Sequence, residues 1–187
     1  MNLSQAYPDF SEHIAGAIEQ LGGISEALLE STEQSASLIA SKLLAGGKIL
    51  LATDVDNRGP GEAFQFDLLE RYKQQQPGLP VVQLPYCASS HTESYLRSAE
   101  VLGQETDVLL MVNSTDIIFE NAQLEQLHLN RGISSIYLGQ DTPTLTTAGF
   151  TQTLALNSAN KYRQLEMNLF ILHCLSVRIQ SLVFQGH

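Results

Sequence analysis

The sequence is short of cysteine, of basic residues and of long apolar runs, and each shortage excludes a class of protein. Only Cys87 and Cys174 occur, outside any CxxC pair, which excludes a disulfide-stapled scaffold and a zinc knuckle and suits a reducing compartment. The 10 Lys and Arg are dispersed and are outnumbered by 20 Asp and Glu, which gives a net charge of -10. Because such a surface repels phosphates, we expect no direct binding to nucleic acid.

Signals for export or for membrane insertion are also missing. The N-terminal residues show no basic stretch followed by an apolar one, and no apolar run approaches the about 20 residues that cross a bilayer. We therefore expect a cytoplasmic protein with no membrane partner. The 187 residues, of which 43% are hydrophobic and 16% charged, predict one domain over 1–187. We expect N-terminal helices for oligomerisation over 1–45, followed by an α/β core and a C-terminal helix over 46–187.

From residue 48 onward, short apolar runs alternate with helical patterns. Apolar residues in the last segment recur every three or four positions, from Leu165 to Leu182, which predicts a long amphipathic helix. The alternation of apolar runs with helical patterns predicts a three-layer α/β/α sandwich. Its sheet is expected to be five-stranded, parallel, doubly wound and flavodoxin-like. Ligands of such sheets bind beyond the carboxyl ends of the strands, so the loops there are the candidate sites. The predicted strands are 48–52, 79–84, 107–112, 133–138 and 150–156.

Several blocks are informative through their order and spacing: LAGGKIL at 44–50 leads into the predicted first strand, and LG at 102–103 stands before DVLL at 107–110. RQLE at 163–166 and HCL at 173–175 follow in the predicted last helix. In turn, these blocks resemble the lead into the first strand, the third-strand signature and the last helix of SIS-domain proteins of the phosphoheptose isomerase and DnaA initiator-associating branch. The resemblance implies the SIS fold and a homotetramer or dimer, with helical bundling between subunits.

The first ligand loop departs from the family's pattern. In the family, a G-N-G-G-S loop brings backbone amides and a helix N-terminus to a phosphosugar. Two carboxylates stand in the corresponding stretch here, and a carboxylate disfavours a second negative charge within about 4–6 Å. Arg58 or a cation would offset part of this repulsion. The resemblance therefore implies an impaired phosphosugar site formed by Thr53, Asp54, Asp56, Asn57 and Arg58.

The second ligand loop follows the predicted third strand and is S-T-S-G-N-S in the family, where hydroxyl groups donate to the phosphate. Ser114 and Thr115 keep hydroxyl donors, whereas Asp116 replaces the glycine and adds a third carboxylate. We predict that Asn113, Ser114, Thr115 and Asp116 complete the ligand site. A cation held by the three loop carboxylates stays an open alternative.

The resemblance also implies a catalytic pair. Family isomerases use a glutamate after the first loop and a histidine on the last helix, and these positions hold Asp67 and His173. Asp67 is one methylene shorter than glutamate, so we expect the pair to be vestigial or weak. Some members bind zinc at the positions of Ala63, Leu165 and His173, which cannot form that ligand set. We predict no metal and no other cofactor.

Three functions are open. The leading hypothesis is a non-catalytic regulator of DNA replication that contacts DnaA through Val183 and Phe184, as the resemblance to the initiator-associating branch implies. The alternative is a phosphoheptose isomerase, or a related phosphosugar isomerase, that uses Asp67 and His173. The third is a sensor of an uncharged or cationic sugar derivative. An exposed Phe184 favours the first hypothesis, and an open cleft shared by the two loops favours the other two.

Overall fold

The computed structural model describes residues 10–24, 26–70, 76–85, 91–114, 121–142, 145, 149–158 and 160–184. The helices are α1 (Phe10–Gly22), α2 (Glu26–Leu44), α3 (Arg58–Leu69), α4 (His91–Leu102), α5 (Asn121–Arg131) and α6 (Lys161–Val183). The strands are β1 (Ile49–Thr53), β2 (Val81–Gln83), β3 (Val108–Asn113), β4 (Ser134–Gln140) and β5 (Gln152–Leu156).

The five strands form one parallel sheet in the order β2-β1-β3-β4-β5. Every residue of β1 and β3 is buried, because helices cover both faces of the sheet. One apolar core lies between the sheet and α2, α3 and α6, and a second lies between the sheet and α4 and α5. This architecture confirms the predicted three-layer α/β/α sandwich.

The strand order places the two predicted ligand loops side by side. The chain leaves β1 through α3 on one face and returns to β3 through α4 on the other, so β1 and β3 flank the switch point of the sheet. Thr53 pairs with Val112 at the end of this register, and the backbone N–H of Asp54 donates to the carbonyl oxygen of Val112 at 3.2 Å. The loops that follow β1 and β3 therefore begin at the same point of the sheet edge.

The element boundaries differ modestly from the predicted ones. β2 spans Val81–Gln83, shorter than the predicted 79–84, and β5 begins at Gln152 instead of residue 150. Both are edge strands, and each pairs with only one neighbour. In the part of the chain that the structure describes, no helix has both the length and the apolar character of a bilayer-spanning segment.

Candidate functional site

The carboxylate of Asp54 forms the centre of the candidate site. Its Oδ1 accepts hydrogen bonds from the backbone N–H of Asn57 at 2.8 Å and from Asn57 Nδ2 at 2.7 Å. Its Oδ2 accepts from the backbone N–H of Ser114 at 2.8 Å and from Ser114 Oγ at 3.1 Å. Asp54 thus joins the loop after β1 to the loop after β3. Each of its two oxygens accepts two hydrogen bonds, one from a backbone N–H and one from a side chain.

A network of buried side-chain amides lies beneath this carboxylate. Asn168 on α6 donates through Nδ2 to Asn57 Oδ1 at 2.8 Å and to the Asn113 carbonyl oxygen at 3.3 Å. Its own Oδ1 accepts from Gln164 Nε2 at 2.8 Å. None of these four amide residues is more than 1% exposed. The network therefore fixes the positions of both loops relative to α6, because a buried polar group needs a partner.

Asp56, the second acid of the first loop, pairs with a lysine of α6. Its Oδ2 lies 2.6 Å from Lys161 Nζ at the start of α6. This hydrogen bond raises the pKa of Lys161 above its ordinary value. Arg58 does not join the site, because its Nε lies 3.3 Å from Glu62 Oε1 on the exposed side of α3.

Thr53 supports the site from below. Its Oγ1 accepts from Gln83 Nε2 at 3.0 Å, and its carbonyl oxygen accepts a short hydrogen bond from the hydroxyl of Tyr95. Thr53 is 3% exposed, so it positions the loop and presents little surface to a ligand.

Asp67 and His173 face each other between α3 and α6. Asp67 Oδ2 and His173 Nε2 are 3.8 Å apart, and the side chains are 28% and 51% exposed. Ser176 Oγ lies 3.5 Å from Asp67 Oδ2 and donates to the His173 carbonyl oxygen at 3.0 Å. The structure thus brings the two predicted catalytic side chains together and leaves the imidazole open to solvent.

The remaining predicted site residues lie elsewhere. Val183 and Phe184 are half-buried and pack against the core between α2, α3 and α6, so Phe184 is not the exposed side chain that would favour a partner surface. Thr115 and Asp116 fall outside the described residues. Within the described ranges, no three His, Cys, Asp or Glu side chains cluster closely enough to hold a metal ion.

The chain is similar in sequence to several phosphoheptose isomerases. The chain is 28% identical over 195 residues to the phosphoheptose isomerase of Shewanella frigidimarina. The alignment covers 97% of this chain and 96% of that protein. It is 28% identical over 188 residues to the phosphoheptose isomerase of Alkalilimnicola ehrlichii, with 94% and 95% of the two chains covered. No protein-family profile matches the chain.

Solved structures show the same fold. The phosphoheptose isomerase of Francisella tularensis superimposes with a TM-score of 0.76 at 20% identity, over 96% of this chain and 98% of that one. That of Neisseria gonorrhoeae gives 0.74 at 18% identity, over 96% and 100%. In sequence and in fold, the chain is therefore similar to the SIS-domain phosphoheptose isomerases. The resemblance stated from the sequence blocks is therefore confirmed.

Three residues of α6 that connect the loops of the candidate site to this helix were not predicted: Lys161, Gln164 and Asn168. A signal for two of them is present in the sequence. Gln164 and Asn168 are carboxamides spaced i, i+4 in a long amphipathic helix, so they lie on one helix face among buried apolar residues. Such a pair indicates a buried polar network. Lys161 carries no comparable signal, because its partner Asp56 is more than a hundred residues away.

Proposed function

We propose that this SIS-domain protein is a sugar isomerase of the phosphoheptose isomerase type. The proposal depends on the approach of Asp67 to His173, with 3.8 Å between Oδ2 and Nε2. A carboxylate and an imidazole at this separation are a suitable pair for general acid–base catalysis, and apo distances shorten when substrate binds. The names of the relatives favour an isomerase over the non-catalytic regulator.

The chemistry assigned to the pair is proton transfer between adjacent carbons. Asp67 removes the proton from C2 of an open-chain aldose while His173 donates a proton to the carbonyl oxygen, which gives an enediol. Asp67 then delivers its proton to C1, and His173 recovers a proton from the hydroxyl on C2, which yields the ketose. No proton is gained or lost overall. The half-exposed imidazole is accessible to such a substrate.

Turnover measured by proton NMR tests this proposal, with sedoheptulose and sedoheptulose 7-phosphate as parallel substrates. We expect His173→Asn and Asp67→Asn each to lower kcat by about 100-fold or more, the range for loss of a general acid or base. His128→Asn is the matched control, because His128 is an exposed histidine on α5 beyond the opposite face of the sheet. Activity that survives His173→Asn contradicts the mechanism.

A non-catalytic regulator is the second candidate, and the hydrogen bonding of Asp54 favours it. The loop donors that would hold an anionic ligand already bond to this carboxylate. Contact with DnaA through Val183 and Phe184 stays a prediction. It is tested by titrating wild type and Phe184→Ala with DnaA from the same organism, with the exposed Leu129→Ala as control. If neither wild type nor Phe184→Ala binds DnaA, the prediction is wrong.

A further inference from the structure

We infer that Asp54 is a built-in occupant of the anion position in this site, and that the ligand is a sugar derivative without a phosphate group. That the ligand is a sugar rests on the proposed function. The occupancy of the anion position by Asp54 rests on its place at the sheet edge, on its hydrogen bonds and on the contacts that hold its loop.

Its location is the first argument. Open parallel sheets bind ligands at the switch point, beyond the carboxyl ends of the two strands that flank it. Those strands are β1 and β3, and Asp54 and Ser114 are the residues that directly follow them. The N-terminus of α3, at Arg58, opens onto the same point and favours negative charge. General architecture therefore places the anionic part of a ligand where the Asp54 carboxylate lies.

Saturation of the donors is the second argument. Two backbone N–H groups, one hydroxyl and one amide donate to the carboxylate at 2.7 to 3.1 Å, which is the donor set that a bound phosphate would use. A phosphate at this position would have to displace Asp54. It would then sit beside the expelled carboxylate, and two negative charges within about 4–6 Å disfavour each other.

Independent ties on the same loop are the third argument. Asn57 bonds to Asn168 at 2.8 Å, and Asp56 pairs with Lys161 at 2.6 Å. Both partners lie on α6, so the loop is fixed without any ligand. Displacing Asp54 would require the loop to move against both ties. In wild type, the loop after β1 therefore already holds the position that a bound anion would otherwise have to stabilise.

The class of ligand follows from the site groups that do not bond to Asp54. Asn113 Nδ2 is a buried, neutral donor with no hydrogen-bond partner among the described residues. Asp67 and His173 lie farther along α3 and α6. Their side chains suit hydrogen bonds to hydroxyl and carbonyl groups. Asn113 Nδ2 carries no charge, so it offers a ligand a hydrogen bond and no ion pair. The site suits a neutral polyhydroxyl compound.

Calorimetric titration with inorganic phosphate, and with sedoheptulose and sedoheptulose 7-phosphate, tests the inference. In Asp54→Gly the four donors lose their carboxylate, so we expect phosphate and sedoheptulose 7-phosphate to bind at least tenfold more tightly than to wild type. Glu125→Gln is the matched control, since it removes one negative charge at an exposed position on α5 and leaves the Asp54 hydrogen bonds and both loop ties in place. We expect its phosphate affinity to equal that of wild type.

A second variant covers the case in which Asp54→Gly does not fold. Asp54→Ser removes the charge and keeps one acceptor, and we expect millimolar phosphate to raise its melting temperature but not that of wild type. Wild type that binds phosphate as tightly as the Asp54 variants overturns the inference, and so does an equal gain in Glu125→Gln.

The isomerase proposal and the inference about Asp54 can fail independently. If phosphate binds only to the Asp54 variants and no sugar is turned over, the isomerase proposal fails while Asp54 keeps its assigned role. If wild type turns over sedoheptulose 7-phosphate and binds phosphate, the isomerase proposal stands and the inference about Asp54 fails.

Discussion

Asn168 is the residue that joins the two loops of the candidate site to the last helix. It is fully buried and makes three side-chain hydrogen bonds, one to each loop and one to Gln164. A buried amide is stabilising only when its donors and acceptors are paired, and every partner of Asn168 is itself buried. The position of Asp54 therefore depends on Asn168 through Asn57.

Replacement of Asn168 by alanine should destabilise the protein. Asn168→Ala leaves the Asn57 Oδ1 atom and the Gln164 amide without their partner, and each unpaired buried group costs about 1–3 kcal/mol. We expect the free energy of unfolding in urea to fall by about 2–4 kcal/mol. Asn130→Ala, at an exposed position on α5, is the control and should change it by less than about 0.5 kcal/mol. Equal stability of the two variants would show that the network contributes nothing.

Helix α6 is also tied to α2, by an ion pair on the surface. Arg178 donates from Nε and Nη2 to both oxygens of Glu33, at 2.6 to 2.9 Å. The Arg178 guanidinium lowers the pKa of Glu33 below its ordinary value of 4.5, mainly through these hydrogen bonds. A lowered carboxylate pKa stabilises the fold above the ordinary value, and the effect disappears as the pH falls through the folded-state pKa.

Glu33→Gln should therefore lower stability only at pH values above the folded-state pKa of Glu33. We expect its urea midpoint to lie below that of wild type at pH 7, and the difference to shrink as the pH falls below the ordinary value of 4.5. Because the pair is exposed, added salt should also reduce the difference. A difference that is constant from pH 7 to pH 3 would mean that the ion pair is not its cause.

The end of β4 approaches the site too closely for a side chain. A Cβ added at Gly139 would lie 2.2 Å from the carbonyl oxygen of Asn113, whereas one added at Gly59 on α3 would meet nothing within 4 Å. We expect Gly139→Ala to lower the free energy of unfolding by about 1–3 kcal/mol, because β3 and β4 must separate. Gly59→Ala should be neutral or stabilising by about 0.5–1 kcal/mol. Thermal unfolding of both variants checks this, and the opposite order would contradict it.

The elements were more predictable than the site because their signals are local. Buried strands such as β3 are apolar runs between turns, and α6 repeats at helical spacing, so sequence alone predicts both. The buried face of α6 was less predictable. Leu165 and Leu169 are only half-buried, while Gln164 and Asn168 are buried. Gln164 bonds to Asn168, and Asn168 bonds to Asn57 after β1 and to Asn113 at the end of β3, at least 55 residues away in sequence. No local pattern therefore shows that this face turns toward the ligand loops.

At the scale of the whole molecule, α1 contacts the rest of the protein through polar groups. The His13 imidazole contacts Arg163 and Glu166 on α6, and Gln20 donates to the Asn157 carbonyl oxygen beyond β5. Three apolar residues of α1, at i, i+4 and i+7 spacing, are 41% to 66% exposed: Ile14, Ile18 and Leu21. A stripe of this kind indicates a helix that packs against a second subunit.

The predicted homotetramer or dimer therefore has a specific test. Ile18→Glu places a charge at the most exposed position of the stripe, where burial against another subunit would be costly. Sedimentation velocity should show an oligomer for wild type and a monomer for Ile18→Glu. Leu129→Glu is the control, because Leu129 is 73% exposed on α5, away from α1, and this variant should stay oligomeric. A monomeric wild type would show that the prediction is wrong, and an oligomer that survives Ile18→Glu would show that its interface excludes this face of α1.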